Sequence, residues 1–193
     1  NELIYLNRSD DGMLPIMHAI DNGNPALLKA IMARPEIQLD KYATGVEYLQ
    51  YSDMSPLEFA VARKNLPAVI ALVEALKKSG SNINAWQNSP LIVRENDQFV
   101  PIPSKNCRNP FLIGLELWAS PAGQDFARIT ADGKPQTHPY QEVLEHLLKN
   151  GANINERDLN NKPLITHVAA LGNTEIMKWM LKNGADPNAR DAN

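Results

Sequence analysis

Apolar residues recur near the end of the chain at the spacing of an amphipathic helix. In the segment TEIMKWMLK the apolar positions are Ile176, Met177, Met180 and Leu181. They follow the order i, i+1, i+4, i+5, which places them on one stripe of a helix. Asn173 before the segment is a good N-cap, and Gly184 after it predicts a left-handed helix end. A shorter apolar segment, PLITHVAALGN, precedes this helix and predicts another one that ends at Gly172.

The polar stretch around this pair of helices occurs twice. LLKNGANINERD returns as MLKNGADPNARD after 33 residues. The matched positions are Gly151 and Gly184, Asn155 and Asn188, and Asp158 and Asp191. The sequence therefore predicts a repeating unit of helix, tight turn, helix and polar hairpin, and an internal repeat decides the fold class.

This unit resembles the ankyrin repeat, a β-hairpin followed by two antiparallel helices with a period of 33. Three upstream segments resemble the opening of the family's first helix: LPIMHAIDNGN, SPLEFAVARKN and NPFLIGLELWA. In the last repeat Pro163 stands at the family's Thr position. The resemblance implies an all-α repeat solenoid of four ankyrin repeats, with one extended β-hairpin. We predict a single ankyrin-repeat domain over 1–193. Its repeats span about 10–40, 51–85, 105–155 and 158–188, with an insertion over 120–139 and the extended hairpin over 86–104.

The spacing of the repeats departs from the family. First helices start at Leu14, Ser55, Asn109 and Pro163, which are 41, 54 and 54 residues apart. We expect one extra turn in the second helix of repeat two. The β-rich runs 91–93 and 99–102 flank RENDQ and predict a protruding hairpin. The third excess lies between the two helices of repeat three, and we expect it to emerge opposite the hairpins.

Composition excludes several classes of function. The net charge is -3, so no positive field would gather phosphates, and we expect no nucleic acid partner. No apolar run approaches the roughly 18 residues of a membrane span, and we expect no membrane partner. The single cysteine cannot form an internal disulfide, which favours the cytoplasm, or a host cytosol for a secreted effector. We expect a monomer without cofactors.

The histidines show no metal-ligand spacing with one another or with Cys107. His18 and His167 fall in a helix-packing register. A hydrolytic site would need Cys107 and His138 to meet, although their segments should leave the repeat at opposite ends. We therefore predict no enzyme, with neither catalytic, cofactor-binding nor metal sites.

The family binds its partners through hairpin tips and the exposed edge of each first helix. Carried to this sequence, that surface is Met13, Asp21, Asn22, Tyr51, Ser52, Met54, Arg63, Lys105, Arg108, Glu116, Leu159, Asn160 and Lys162. Trp86 is either an anchor for the long hairpin or a further contact. This mixture of apolar, aromatic and charged side chains suits another protein as the partner. The resemblance thus implies a protein–protein interaction module. The alternative is a targeting or scaffolding arm of a larger enzyme, such as an effector of an intracellular bacterium.

Overall fold

The computed structural model describes residues 14–34, 37, 39, 54–88, 92–95, 98–101, 107–124 and 136–191. The described part is mostly helical. Its helices are α1 (Pro15–Asp21), α2 (Pro25–Met32), α3 (Pro56–Ala62), α4 (Leu66–Ser79), α5 (Pro110–Ala119), α6 (Pro121–Gln124), α7 (Pro139–Lys149), α8 (Leu164–Leu171) and α9 (Thr174–Lys182). Four short strands are β1 (Gln87–Asn88), β2 (Ile92–Glu95), β3 (Gln98–Pro101) and β4 (Cys107–Arg108).

Local capping explains where the helices begin. The residues that precede α1, α3, α5 and α8 are Leu14, Ser55, Asn109 and Pro163, the four predicted starts. Ser55 and Glu58 form a reciprocal capping box, in which each side chain accepts the other's backbone N–H. Asn24, Asn65 and Asn173 cap α2, α4 and α9 with their side-chain oxygens. These predicted helix starts are confirmed because each one depends on only a few consecutive residues.

The chain forms two compact units, and the first comprises 1–83 and 91–101. Here α1 packs against α2, α3 against α4, and the pairs meet through α1 with α3 and α2 with α4. Met17, Phe59 and Leu72 are fully buried between them. Helix α4 has 14 residues against 8 in α2, as the predicted extra turn requires, and ends at Gly80 with φ 74°. In the same unit β2 and β3 pair antiparallel, with Ile92 opposite Pro101 and Glu95 opposite Gln98.

The second unit comprises 84–90 and 102–193. Helix α5 is its centre and packs against α6, α7, α8 and α9. Every residue from 110 to 118 is buried. Strands β1 and β4 pair antiparallel immediately before α5, with Gln87 opposite Arg108. The core contains Trp118 and Trp179 in an edge-to-face arrangement with ring centroids 5.5 Å apart.

Within the described residues, none of the helices has the length and apolar character needed to cross a bilayer.

Candidate interaction surface

The hairpin before α8 is held rigid by one carboxylate. Asp158 Oδ1 accepts the backbone N–H groups of Asn160 at 2.8 Å and Lys162 at 2.9 Å. The Asp158 N–H donates to the Lys162 carbonyl at 2.9 Å. Asn161 adopts φ 61°, a left-handed conformation that Asn tolerates better than most residues. The turn therefore displays its tip in one conformation.

The tip presents an apolar side chain beside polar ones. Leu159 is 56% exposed, the largest exposure among the large apolar residues described. Asn160 is exposed, and its Nδ2 donates to Cys107 Sγ at 3.2 Å. Lys162 is half-buried. All three were predicted for the surface, and the structure brings them together on one turn.

Asp158 also pairs with a histidine of α8, a contact that the sequence analysis missed. His167 Nε2 lies 3.0 Å from Asp158 Oδ2. Burial and the positive charge of Lys162 lower the pKa of His167 below its usual value, against the opposing effects of Asp158 and Asp191. His167 is thus a hydrogen-bonded polar residue, and its reading as a helix-packing residue was incomplete. The nine-residue separation from Asp158 gave no local signal.

Asparagine side chains link successive hairpins within the second unit. Asn155 Nδ2 donates to the Gly184 carbonyl at 3.0 Å, and Asn155 Oδ1 accepts the Asp186 N–H at 2.8 Å. Asn84 Nδ2 donates to the Gly151 carbonyl in the same way, at 3.0 Å. These bonds connect each hairpin to the one that follows it.

A second group of predicted residues lies in the first unit. Asp21 and Asn22 are exposed at the end of α1. Arg63 Nε lies 2.8 Å from Asp21 Oδ1, and its guanidinium carbon lies 5.2 Å from the centre of the Phe59 ring. The two opposite charges predicted for this surface therefore neutralise each other and hold Arg63 in place.

Three predicted surface residues are buried, so the expectation that they are exposed was wrong. They are Met54, Arg108 and Glu116. Met54 precedes the N-cap of α3, where an apolar residue commonly packs against the fourth helical residue, here the buried Phe59. Arg108 lies in β4 against β1. Glu116 lies on α5, which has no solvent-facing edge because helices surround it.

Other predicted positions are less exposed or lie elsewhere. Trp86 is half-buried, and its indole N–H has no hydrogen-bond partner in the described part of the chain. Met13, Tyr51, Ser52 and Lys105 lie outside the described residues.

The structure does not bring Cys107 and His138 together. The buried Cys107 thiol has Asn160 as its hydrogen-bond partner. His138 Nε2 instead faces the Gly123 carbonyl at 2.6 Å, and its Nδ1 accepts the Tyr140 N–H at 3.2 Å. Both ring nitrogens are therefore engaged in backbone contacts. Across the described ranges, no three or more His, Cys, Asp or Glu residues form a cluster suited to a metal ion.

These observations define a mostly helical protein built from capped helix pairs and linked polar hairpins. The family model for the ankyrin repeat matches residues 165–192. This match covers α8, α9 and the hairpin that follows, so it confirms the resemblance: the chain is an ankyrin-repeat protein. No curated protein matched the sequence. Ankyrin repeats generally mediate protein–protein interactions and are typically not enzymes.

Proposed function

We propose that this chain is a non-catalytic module that binds a partner protein through the tips of its hairpins and the adjoining ends of its first helices. In this proposal its helix pairs form a solenoid of four ankyrin repeats, and the paired strands β2 and β3 belong to an extended hairpin. Each predicted first helix begins at its expected cap, which supports the count of four.

The turn built on Asp158 carries the proposal. It holds Leu159 and Lys162 in a preformed arrangement, with the backbone already hydrogen-bonded. A partner that contacts this turn would lose little conformational entropy of the turn on binding. An exposed Leu beside a cation and an amide also fits the mixed chemistry of protein interfaces.

The Asp21–Arg63 pair offers a second contact. Both side chains are more than a third exposed, at 39% and 35%, so solvent screens their attraction. Removing Arg63 should therefore change stability by less than about 1 kcal/mol. Arg63 stacked over Phe59 is a rigid side chain of the kind that contributes strongly to interfaces.

Quantitative interaction mass spectrometry tests the proposal with the whole chain as bait. We expect specific partners that are lost from a Leu159→Ser, Lys162→Ala variant or from a Tyr51→Ala, Arg63→Ala variant. Lys178→Ala and Lys182→Ala on α9 remove exposed charge elsewhere and should retain them. Binding of the purified partner to each variant would then be measured by calorimetry. Unchanged affinity in both surface variants would refute this choice of surface, and the absence of any specific partner would refute the function.

A further inference from the structure

One nitrogen within the proposed surface is an available hydrogen-bond acceptor. Since a carboxylate only accepts, the 3.0 Å contact with Asp158 places the proton of neutral His167 on Nε2. Nδ1 is then left with a bare lone pair. No described residue bonds to Nδ1, and it is not among the fully buried polar atoms that lack partners. His167 is therefore oriented by Asp158, with an acceptor atom that a partner can use.

The charges around His167 come from the hairpins on either side of α8. Asp158 and Lys162 lie before the helix, and Asp191 lies after it. Both carboxylates are occupied: Asp158 accepts three hydrogen bonds, and Asp191 Oδ1 accepts the Thr166 hydroxyl at 3.0 Å. Lys162 has no salt bridge to any described carboxylate. Its ammonium is thus the charge left to meet a partner, and it disfavours a cationic group beside His167.

We propose that His167, Lys162 and Leu159 bind an acidic segment of a partner protein, with an uncharged N–H or O–H donor bonded to His167 Nδ1. A carboxylate of the segment pairs with Lys162, and an apolar side chain covers Leu159. This inference rests on the proposed function and specifies the partner's chemistry.

The arrangement makes binding sensitive to acid. Protonated His167 carries N–H on both ring nitrogens and can no longer accept a bond at Nδ1. Burial beside Lys162 keeps the ring neutral at pH 7 because both effects lower its pKa. Affinity should therefore fall as the pH drops through the pKa of His167, while Asp and Glu of the segment remain ionised above about pH 5.

A phage-displayed library of random 12-residue peptides, selected on the whole chain at pH 7.5, provides the probe. We expect the selected peptides to be acidic. His167→Gln is the sharpest variant, because its amide N–H can still donate to Asp158 while the Nδ1 acceptor is gone. His167→Gln and Lys162→Gln should each weaken binding about tenfold, and Lys178→Gln on α9 should leave it unchanged. Calorimetry between pH 5 and 7.5 should show acid weakening for the unsubstituted chain and a flatter profile for His167→Gln.

Each outcome separates this inference from the proposed function. Peptides that depend on Leu159 and Lys162 but bind His167→Gln normally would overturn the role of His167 and leave the interaction surface standing. Basic or purely apolar peptides would overturn the acidic partner. A selection without specific peptides would count against both proposals. Nitrogen-detected NMR of His167 gives an independent readout, since a proton on Nδ1 at neutral pH would overturn the acceptor.

Discussion

His138 Nε2 lies 2.6 Å from the carbonyl oxygen of Gly123, although the two residues are 15 positions apart. Gly123 belongs to α6, and His138 caps α7. The His138 ring also stacks on Trp118 with centroids 5.2 Å apart. The two ends of the predicted 120–139 insertion are therefore joined to each other and to α5, and the insertion begins and ends in packed structure.

Replacing His138 should separate its capping role from its role in joining these segments. In His138→Asn the new side chain can still cap α7 but cannot stack on Trp118. In His138→Ala the cap, the Gly123 contact and the stacking are all lost. We expect Ala to be less stable than Asn by about 1 kcal/mol, the usual value of an N-cap. Urea unfolding followed by circular dichroism measures this difference, and equal stabilities would show that the Nδ1 cap contributes nothing.

Gly123 should not accept a side chain. A Cβ there would lie 2.2 Å from the Leu117 carbonyl oxygen and 2.6 Å from that of Trp118. Gly123→Ala must therefore shift backbone, and we expect a loss of about 2–3 kcal/mol in the free energy of unfolding. Gly172→Ala is the matched control, because nothing lies within 4 Å and the strain comes from φ 68° alone, costing about 1 kcal/mol. A smaller loss in Gly123→Ala than in Gly172→Ala would contradict the clash.

Asn155 should stabilise the final hairpin through its two bonds to Gly184 and Asp186. We expect Asn155→Ala to lower the free energy of unfolding by about 1–2 kcal/mol and to increase amide exchange at Asp186. Asn188 occupies the matching position 33 residues later and makes no side-chain hydrogen bond within the described residues. Asn188→Ala should therefore be nearly neutral. Hydrogen exchange compares the two variants, and similar effects would argue against the linkage.

His167 should make stability depend on pH. Its pKa is lowered on folding, chiefly by burial, so the unfolded chain takes up the proton first as the pH falls. The stability due to neutral His167 is complete above its unfolded pKa of about 6.5 and is lost as the pH drops toward the folded value. The stability difference between the unsubstituted chain and His167→Gln should therefore shrink from pH 7.5 to 5. Urea unfolding across this range tests it, and a growing difference would show that the pKa is raised instead.

The predicted surface shows where sequence reasoning succeeds. Leu159 and Asn160 are exposed as expected, because a hairpin tip between two helices has no neighbour to cover it. Glu116 was misplaced because its charge suggested exposure, whereas α5 packs against helices on all sides. Arg63 was assigned correctly to an exposed position, but its pairing with Asp21 crosses two helix pairs and has no short-range signature.

The sequence by itself determined the helix ends, the repeating unit and the family, because caps, left-handed glycines and apolar stripes act over a few residues. The tertiary structure alone decided which polar side chains meet. Asp158 reaches His167, and His138 reaches Gly123, because packing brings together segments that are distant along the chain. Burial and partner choice depend on every element around a side chain, and this information is not contained in any short stretch of sequence.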